Sequence, residues 1–162
     1  MADLRDTSIN IVSNIHQAQL YFSEKDQQRI EKIEKVYQKL KQEAKNCTIY
    51  KQADLPKKWH YNFKERIGDV IVVADPPYMV GSLLALNKIK KGFSLGQHGY
   101  DGYKHKQMHG IFYAWGHHIK PNKTIRSFEN VHIYPLIAHI LKLKTPKNID
   151  GKLRILKNIT KK

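Results

Sequence analysis

Nine histidines stand in this chain of 162 residues: His16, His60, His98, His105, His109, His117, His118, His132 and His139. Imidazole is a general base, a proton carrier and the commonest metal ligand among side chains. A metal site usually mixes it with carboxylate, and residues 82–162 hold only Asp101, Glu129 and Asp150 as acids. His98 differs by its setting. It lies in Gly96-Gln97-His98-Gly99-Tyr100-Asp101, where flanking glycines let the backbone approach a ligand closely. Loops at strand ends are where α/β sheets build sites. By itself this pattern suits a solvated loop histidine equally well. His132 and His139 are seven apart on a predicted helix and could share a face, but Val131, Ile133, Leu136 and Ile140 around them read as packing. His117 and His118 read as exposed loop.

Other chemistries are excluded. Cys47 is the one cysteine, so there is no intramolecular disulfide and no cysteine-rich zinc site. It follows a predicted helix, whose partial negative end would raise a thiol pKa. There is no Walker-type phosphate loop and no Gly-x-Ser-x-Gly elbow.

The elements that must position these residues follow from periodicity. Ser8 to Ser13 is a short apolar stretch that reads as a strand, and Ile15 to Phe22 fits neither period cleanly. From Lys25 to Lys45 the pattern is helical: Ile30, Ile33, Val36, Tyr37, Leu40 and Ala44 share one face. Ser23 and Asp26 suggest an N-cap with Phe22 as staple, and Glu31-Lys35 has the favourable i,i+4 spacing. Thr48 to Lys51 reads as a short strand, and Asp54-Leu55-Pro56 opens a turn. Asp69 to Ala74 is β-branched and continuous, hence a strand buried on both faces, ended by Pro76 and Pro77. Tyr78 to Val80 suggests a further short strand. Residues 87–109, with Gly92, Gly96, Gly99 and Gly102, read as loop. Gly110 to Trp115 predicts a second buried strand, and Val131 to Leu143 a helix capped by Asn130, with Pro135 near its first turn.

Charge is unevenly placed. The net formal charge is +15, from 29 Lys and Arg against 14 Asp and Glu. Residues 1–81 carry 13 basic and 11 acidic residues; residues 82–162 carry 16 and 3. A basic surface attracts phosphates through counterion release. With Tyr100, Tyr103, Phe112 and Trp115 among the basic residues, a small nucleic-acid-binding module is the alternative reading. Against it, Phe112 and Trp115 fall in the predicted buried strand. No apolar run approaches the roughly 20 residues of a transmembrane helix, and the polar start Met1-Ala2-Asp3-Leu4-Arg5-Asp6 is not a secretory signal. A cytoplasmic location and no membrane partner are the expectation for the chain as written.

Several ordered segments carry a resemblance. They are Gly96-Gln97-His98-Gly99-Tyr100-Asp101, Met108 to Gly116, Phe128 to Leu136 and Asn148-Ile149-Asp150-Gly151, preceded by Leu55-Pro56, Trp59-His60-Tyr61 and Arg66 to Asp75. Together they resemble the C-terminal part of the type I phosphodiesterase/nucleotide pyrophosphatase family, of the alkaline phosphatase superfamily. Gly102 stands where that family often has Asn, and Gly116-His117 where it often has Gly-Pro.

The resemblance implies an α/β fold: a partial alkaline-phosphatase-like sheet with a small α+β insertion subdomain. Residues 8–80 would be the insertion, and residues 81–162 the C-terminal part of the catalytic core. It implies two zinc ions in a complete member, an upstream Thr or Ser nucleophile, and hydrolysis of phosphodiester or nucleotide pyrophosphate bonds. The histidine of the Gly-x-His-Gly motif is the last metal ligand, which makes His98 the metal residue here. The nucleophile and other ligands would lie upstream of Met1, so the expectation is a C-terminal fragment that neither holds two zinc ions nor reacts alone. A substrate is then expected only if an N-terminal half completes the site. The strand 110–115 would lack neighbours, which predicts low stability or self-association through an exposed sheet edge.

Overall fold

The computed structural model describes residues 7–61, 63–81 and 96–161. It divides into two compact units, residues 1–109 and 110–162.

The first unit is a four-stranded antiparallel sheet with one long helix. The strands are β1 (Ile9–Ser13), β2 (Gln17–Phe22), β3 (Cys47–Lys51) and β4 (Val70–Ala74), in the spatial order β1-β2-β4-β3. β2 resolves the ambiguous segment: Ala18, Leu20 and Phe22 point inward and their neighbours are half-buried, the period-2 signature of a strand. Helix α1 (Asp26–Glu43) connects β2 to β3. Its Val36 and Leu40, with Ile33 and Tyr37 beside them, pack on Leu20, Phe22, Val70 and Val72. The other face of β4 sends Ile71 and Val73 against Leu55 and Ile67, with Tyr50 and Trp59 at the edge. Every residue of β4 is therefore buried, as its unbroken β-branched run predicts.

Several local expectations change. The N-cap of α1 is Lys25, with no side-chain cap bond. Ser23 instead donates its hydroxyl to the Ser8 carbonyl at 3.1 Å, and Glu24 binds Lys32, which also reaches Ser8. Ile30 is 61% exposed and does not join the face that Ile33, Val36, Tyr37 and Leu40 present to the core. Glu31 accepts from Gln27 at 3.1 Å, not from Lys35. Tyr78 to Val80 makes only one bridge, Ile15 to Val80. Cys47 is half-buried; burial, and then the Asp75 carboxylate, push its thiol up. The direction matches expectation, but the helix end is not the cause. The part of the glycine-bearing stretch at 87–95, with Gly92, lies outside the described residues.

The second unit is built around Leu136, Leu156 and Ile159, with Phe112, Ile119, Ile125, Phe128 and Ile140 against them. The predicted helix begins with a 3₁₀ turn at Asn130–His132 and continues as α2 (Ile133–Ile140). Asn130 makes no cap bond. The 3₁₀ turn shifts the helical phase, so His132 is buried while His139 is exposed, and the two do not share a face. His132 Nδ1 accepts from the Lys152 backbone N–H at 3.2 Å. That bond seats the Gly151 turn so closely that a Cβ there would lie 2.1 Å from the Val131 carbonyl oxygen.

Residues 110–115 do not form the predicted buried strand. The segment has no ladder, and none of its backbone groups is hydrogen-bonded among the described residues. Ile111 is 99% exposed, Tyr113 79% and Trp115 77%, while Phe112 turns inward onto Phe128. The alternation of a strand is present without the neighbours that would bury its second face. Among the described residues no helix is long and apolar enough to cross a membrane.

Candidate functional site

The loop that carries His98 belongs to the first unit. Its floor is the tight β1–β2 connection. Asn14 closes that turn twice, its backbone N–H donating to the Gln17 carbonyl and its side chain accepting from the Gln17 N–H, each at 3.0 Å. Asparagine suits this role because its side chain mimics a backbone turn. Ile15 takes a left-handed conformation within it. The carbonyls of Ile15 and His16 then accept from Val80 at 2.7 Å and from Ala74 at 2.9 Å. The end of β4 and the segment beyond it are thereby tied to the turn.

His16 rises from this turn with only 9% exposure. Its Nε2 lies 3.2 Å from Gln97 Oε1. Its ring meets Tyr100 edge-on, with centroids 4.7 Å apart. The Tyr100 hydroxyl donates to the Tyr78 carbonyl at 3.0 Å, which secures the far end of the loop. His98 itself is exposed. Its ring lies 6.0 Å from that of His16, and its nitrogens make no hydrogen bond among the described residues.

Beyond His98 the chain is pinned at several points. The Asp101 carboxylate accepts from the Tyr103 N–H at 2.9 Å, and the Asp101 carbonyl from Lys104 and His105. Lys104 Nζ donates to Thr48 on β3 at 2.9 Å. The Tyr103 hydroxyl donates to the Lys58 carbonyl, and the Lys58 ammonium sits 4.4 Å from the Tyr103 ring centroid. His105 approaches Asp75 at 3.7 Å. His109 bonds the Gly102 carbonyl. His109 is thus a structural pin, the His105 Nε2 is buried without a hydrogen bond among the described residues, and Asp101 organises a turn.

Of the sequence-predicted residues, His98 is therefore presented to solvent on a braced loop. Among the other histidines of the first unit, His16 is the one whose ring lies beside it. Among the described residues no three His, Cys, Asp or Glu side chains come together as a metal site requires. A single exposed imidazole fits the part of one ligand. It does not fit a two-zinc centre, and no chemical step can be routed through such a centre on these residues. His117 and His118 lie in an exposed loop, as expected, and their rings meet edge-on. Sequence reasoning missed His16, Gln97 and Tyr100 as a group. The one available signal was Asn14, a turn residue immediately before His16.

Comparison with known proteins places this arrangement. The sequence profile of the type I phosphodiesterase / nucleotide pyrophosphatase family matches residues 3–101. Human ectonucleotide pyrophosphatase/phosphodiesterase family member 5 is 35% identical over 112 residues, 69% of this chain and 22% of that protein. A bovine bis(5'-adenosyl)-triphosphatase is 36% identical over 114 residues, 70% of this chain and 24% of its own length. The solved structure of the human family member 5 superposes with a TM-score of 0.77 at 26% identity, over 98% of this chain and 39% of that one. An inactive variant of the murine protein, solved in complex with AMP, superposes equally well. The chain thus spans about a quarter of the curated relatives and two fifths of the solved structure. With its mixed α/β fold shared and more than half of its length matched by the family profile, the chain belongs to the type I phosphodiesterase/nucleotide pyrophosphatase family.

Proposed function

We propose that this chain supplies the His98 side of a zinc-dependent phosphodiester or nucleotide pyrophosphate hydrolase, and that it is inactive alone. The observation that carries this reading is the exposed imidazole of His98, free of hydrogen bonds among the described residues, on a loop fixed at both ends. It stands in the Gly-x-His-Gly motif, whose histidine the resemblance implies to be a metal ligand. When bound, zinc would polarise a phosphoryl oxygen and activate a nucleophile. This chain's own contribution is to hold one ligand in place. The remaining ligands and the nucleophile would come from the part of the family fold that this chain does not span. A nucleotide substrate is favoured because one relative is named for a dinucleoside triphosphate and another is solved with AMP.

The test is hydrolysis of a nitrophenyl phosphodiester by the purified chain in the presence of zinc. No turnover above buffer is expected. Turnover that disappears in His98→Ala would overturn the claim of inactivity while keeping His98 as ligand.

A second reading has an observation in its favour. Tyr113 and Trp115 are exposed, with ring centroids 5.3 Å apart, so the objection that Trp115 is buried falls away. A basic segment with exposed aromatics can stack on single-stranded nucleic acid. A salt-sensitive gel shift with single-stranded RNA or DNA would support it, and no shift at low salt would dismiss it.

A further inference from the structure

We propose that His16 is the positioning residue for His98: one buried imidazole fixes the loop on both sides of the exposed one. The inference deepens the proposed role of His98 and rests on it for its functional meaning, but its geometry stands without a metal.

Three residues flank or follow His98, and all three meet the His16 ring. Gln97, just before it, meets Nε2 through its side-chain oxygen at 3.2 Å. An Nε2–H that donates there leaves Nδ1 directed at Gly99. Gly99, just after it, has a φ of +96°, and a Cβ at that position would lie 2.9 Å from Nδ1. Only glycine combines that backbone with that proximity. Tyr100 closes the third side by its edge-on ring contact. The space beneath the loop is therefore filled, and the His98 side chain is left to point outward.

The ring that does this is itself enclosed. His16 is nine-tenths buried, and its carbonyl is held by the Ala74 N–H at the end of β4. The sheet's central strand is thus coupled to the loop through a single side chain. A histidine present only to fill the core would need apolar neighbours; His16 instead spends its polar edge on Gln97 and its ring on Gly99 and Tyr100. Exposed loops bearing one unbonded histidine are ordinarily mobile, and His16 removes that freedom in advance. Preorganisation of this kind is what a ligating group needs from the residues behind it.

The experiment is NMR on the full chain, comparing wild type with His16→Ala. Backbone order parameters at residues 97–100 are expected to fall from about 0.85, the rigid value, to below about 0.6, while those of Leu20 and Val72 in the sheet stay unchanged. The nuclear Overhauser contact between the His98 and His16 rings supplies the orientation readout in wild type. Multiple His98 ring environments are expected in the variant. If His16→Ala fails to fold, His16→Asn takes its place, since it keeps a polar residue in the turn but is too short to reach Gln97 or Tyr100. Unchanged order parameters at 97–100 in a folded variant would overturn the proposal. Zinc titration of the wild type is read separately. If zinc leaves the His98 ring resonances unmoved, the ligand role fails while the positioning result stands on its own measurement.

Discussion

The segment 110–115 sets a quantitative prediction for the isolated chain: reversible self-association that Trp115→Ser abolishes. Ile111, Tyr113 and Trp115 are 99%, 79% and 77% exposed, and they alternate with the inward Phe112. Burying one such side chain is worth about 1.5–3 kcal/mol. Two copies meeting face to face bury six, a gross gain of about 9–18 kcal/mol. Association costs about 4–15 kcal/mol in lost freedom. Mid-range values leave about 4 kcal/mol, a dissociation constant near a millimolar. The backbone groups of 110–115 are unbonded among the described residues, and each ladder bond they gain adds about 0.5–1.5 kcal/mol. Four such bonds bring the constant to roughly 0.05–50 µM. Trp115→Ser removes two buried side chains per pair, about 3–6 kcal/mol, and weakens the pair at least about a hundredfold. Sedimentation velocity between about 5 and 500 µM follows the association of the wild type and its loss in Trp115→Ser. Monodisperse monomers throughout, with one sharp thermal transition, would refute the reasoning, as would association unchanged in Trp115→Ser.

Two further predictions concern the first unit. The Asp69 carboxylate accepts from the Phe22 backbone N–H at 3.0 Å and from Arg29 at 2.7 Å, with its side chain only 12% exposed. Asp69→Ala should cost about 1.5–3 kcal/mol, since it strands a backbone donor and removes a charged acceptor; denaturant midpoints measure it, and a loss below about 0.5 kcal/mol would count against the strut. The pair Glu34–Lys51, at 3.1 Å, should give stability a plateau in pH that falls at both ends. Glu34 is held below the usual carboxyl range by the Gln38 amide and then by Lys51, so its stabilisation is present above its unfolded value of 4.5 and lost as pH falls through the folded one. Lys51 is raised by its bond to Glu34, so its stabilisation is present below 10.5 and lost as pH rises through the folded value. Melting temperatures against pH should show a small effect, because the pair is exposed. Glu34→Gln should flatten both limbs; a profile superimposable on wild type would exclude the pair as their origin.

What was legible in the sequence depended on how local its cause was. β4 could be read because a β-branched run bounded by Asp75 and Pro76 has one sensible structure, and α1 because its period repeats over five turns. The family is legible in the ordered segments that resemble it, which the profile match over residues 3–101 bears out. The brace behind His98 was not legible, because His16 and Gln97 are 81 residues apart, and no local pattern encodes such a pairing. The cap of α1 misled because the Ser23 hydroxyl and N–H both turn to the Ser8 carbonyl, a partner set by tertiary packing. The strand at 110–115 misled for the opposite reason. Its composition is that of a buried strand, but burial is a property of the neighbours, and residue type cannot supply them.

That same segment separates the two functional readings. A nucleic-acid platform needs aromatic faces and cations, and Tyr113 and Trp115 would serve it as exposed rings. Ile111 would not: it has no π face, yet it is the most exposed of the three and lies on the same side of the alternation. A face that alternates Ile, Tyr and Trp outward with Phe inward has the pattern of a strand meant to be covered on both sides. The aromatic pair is then apolar surface first and a stacking surface second. The discriminating variant is Ile111→Ser. Under the strand reading it weakens self-association about as much as Trp115→Ser. Under the nucleic-acid reading it leaves single-strand binding untouched, while Trp115→Ser costs about 1–3 kcal/mol of it. Equal loss of self-association in both variants, with no gel shift in wild type, favours the strand reading. A gel shift that tracks Trp115 and ignores Ile111 overturns it.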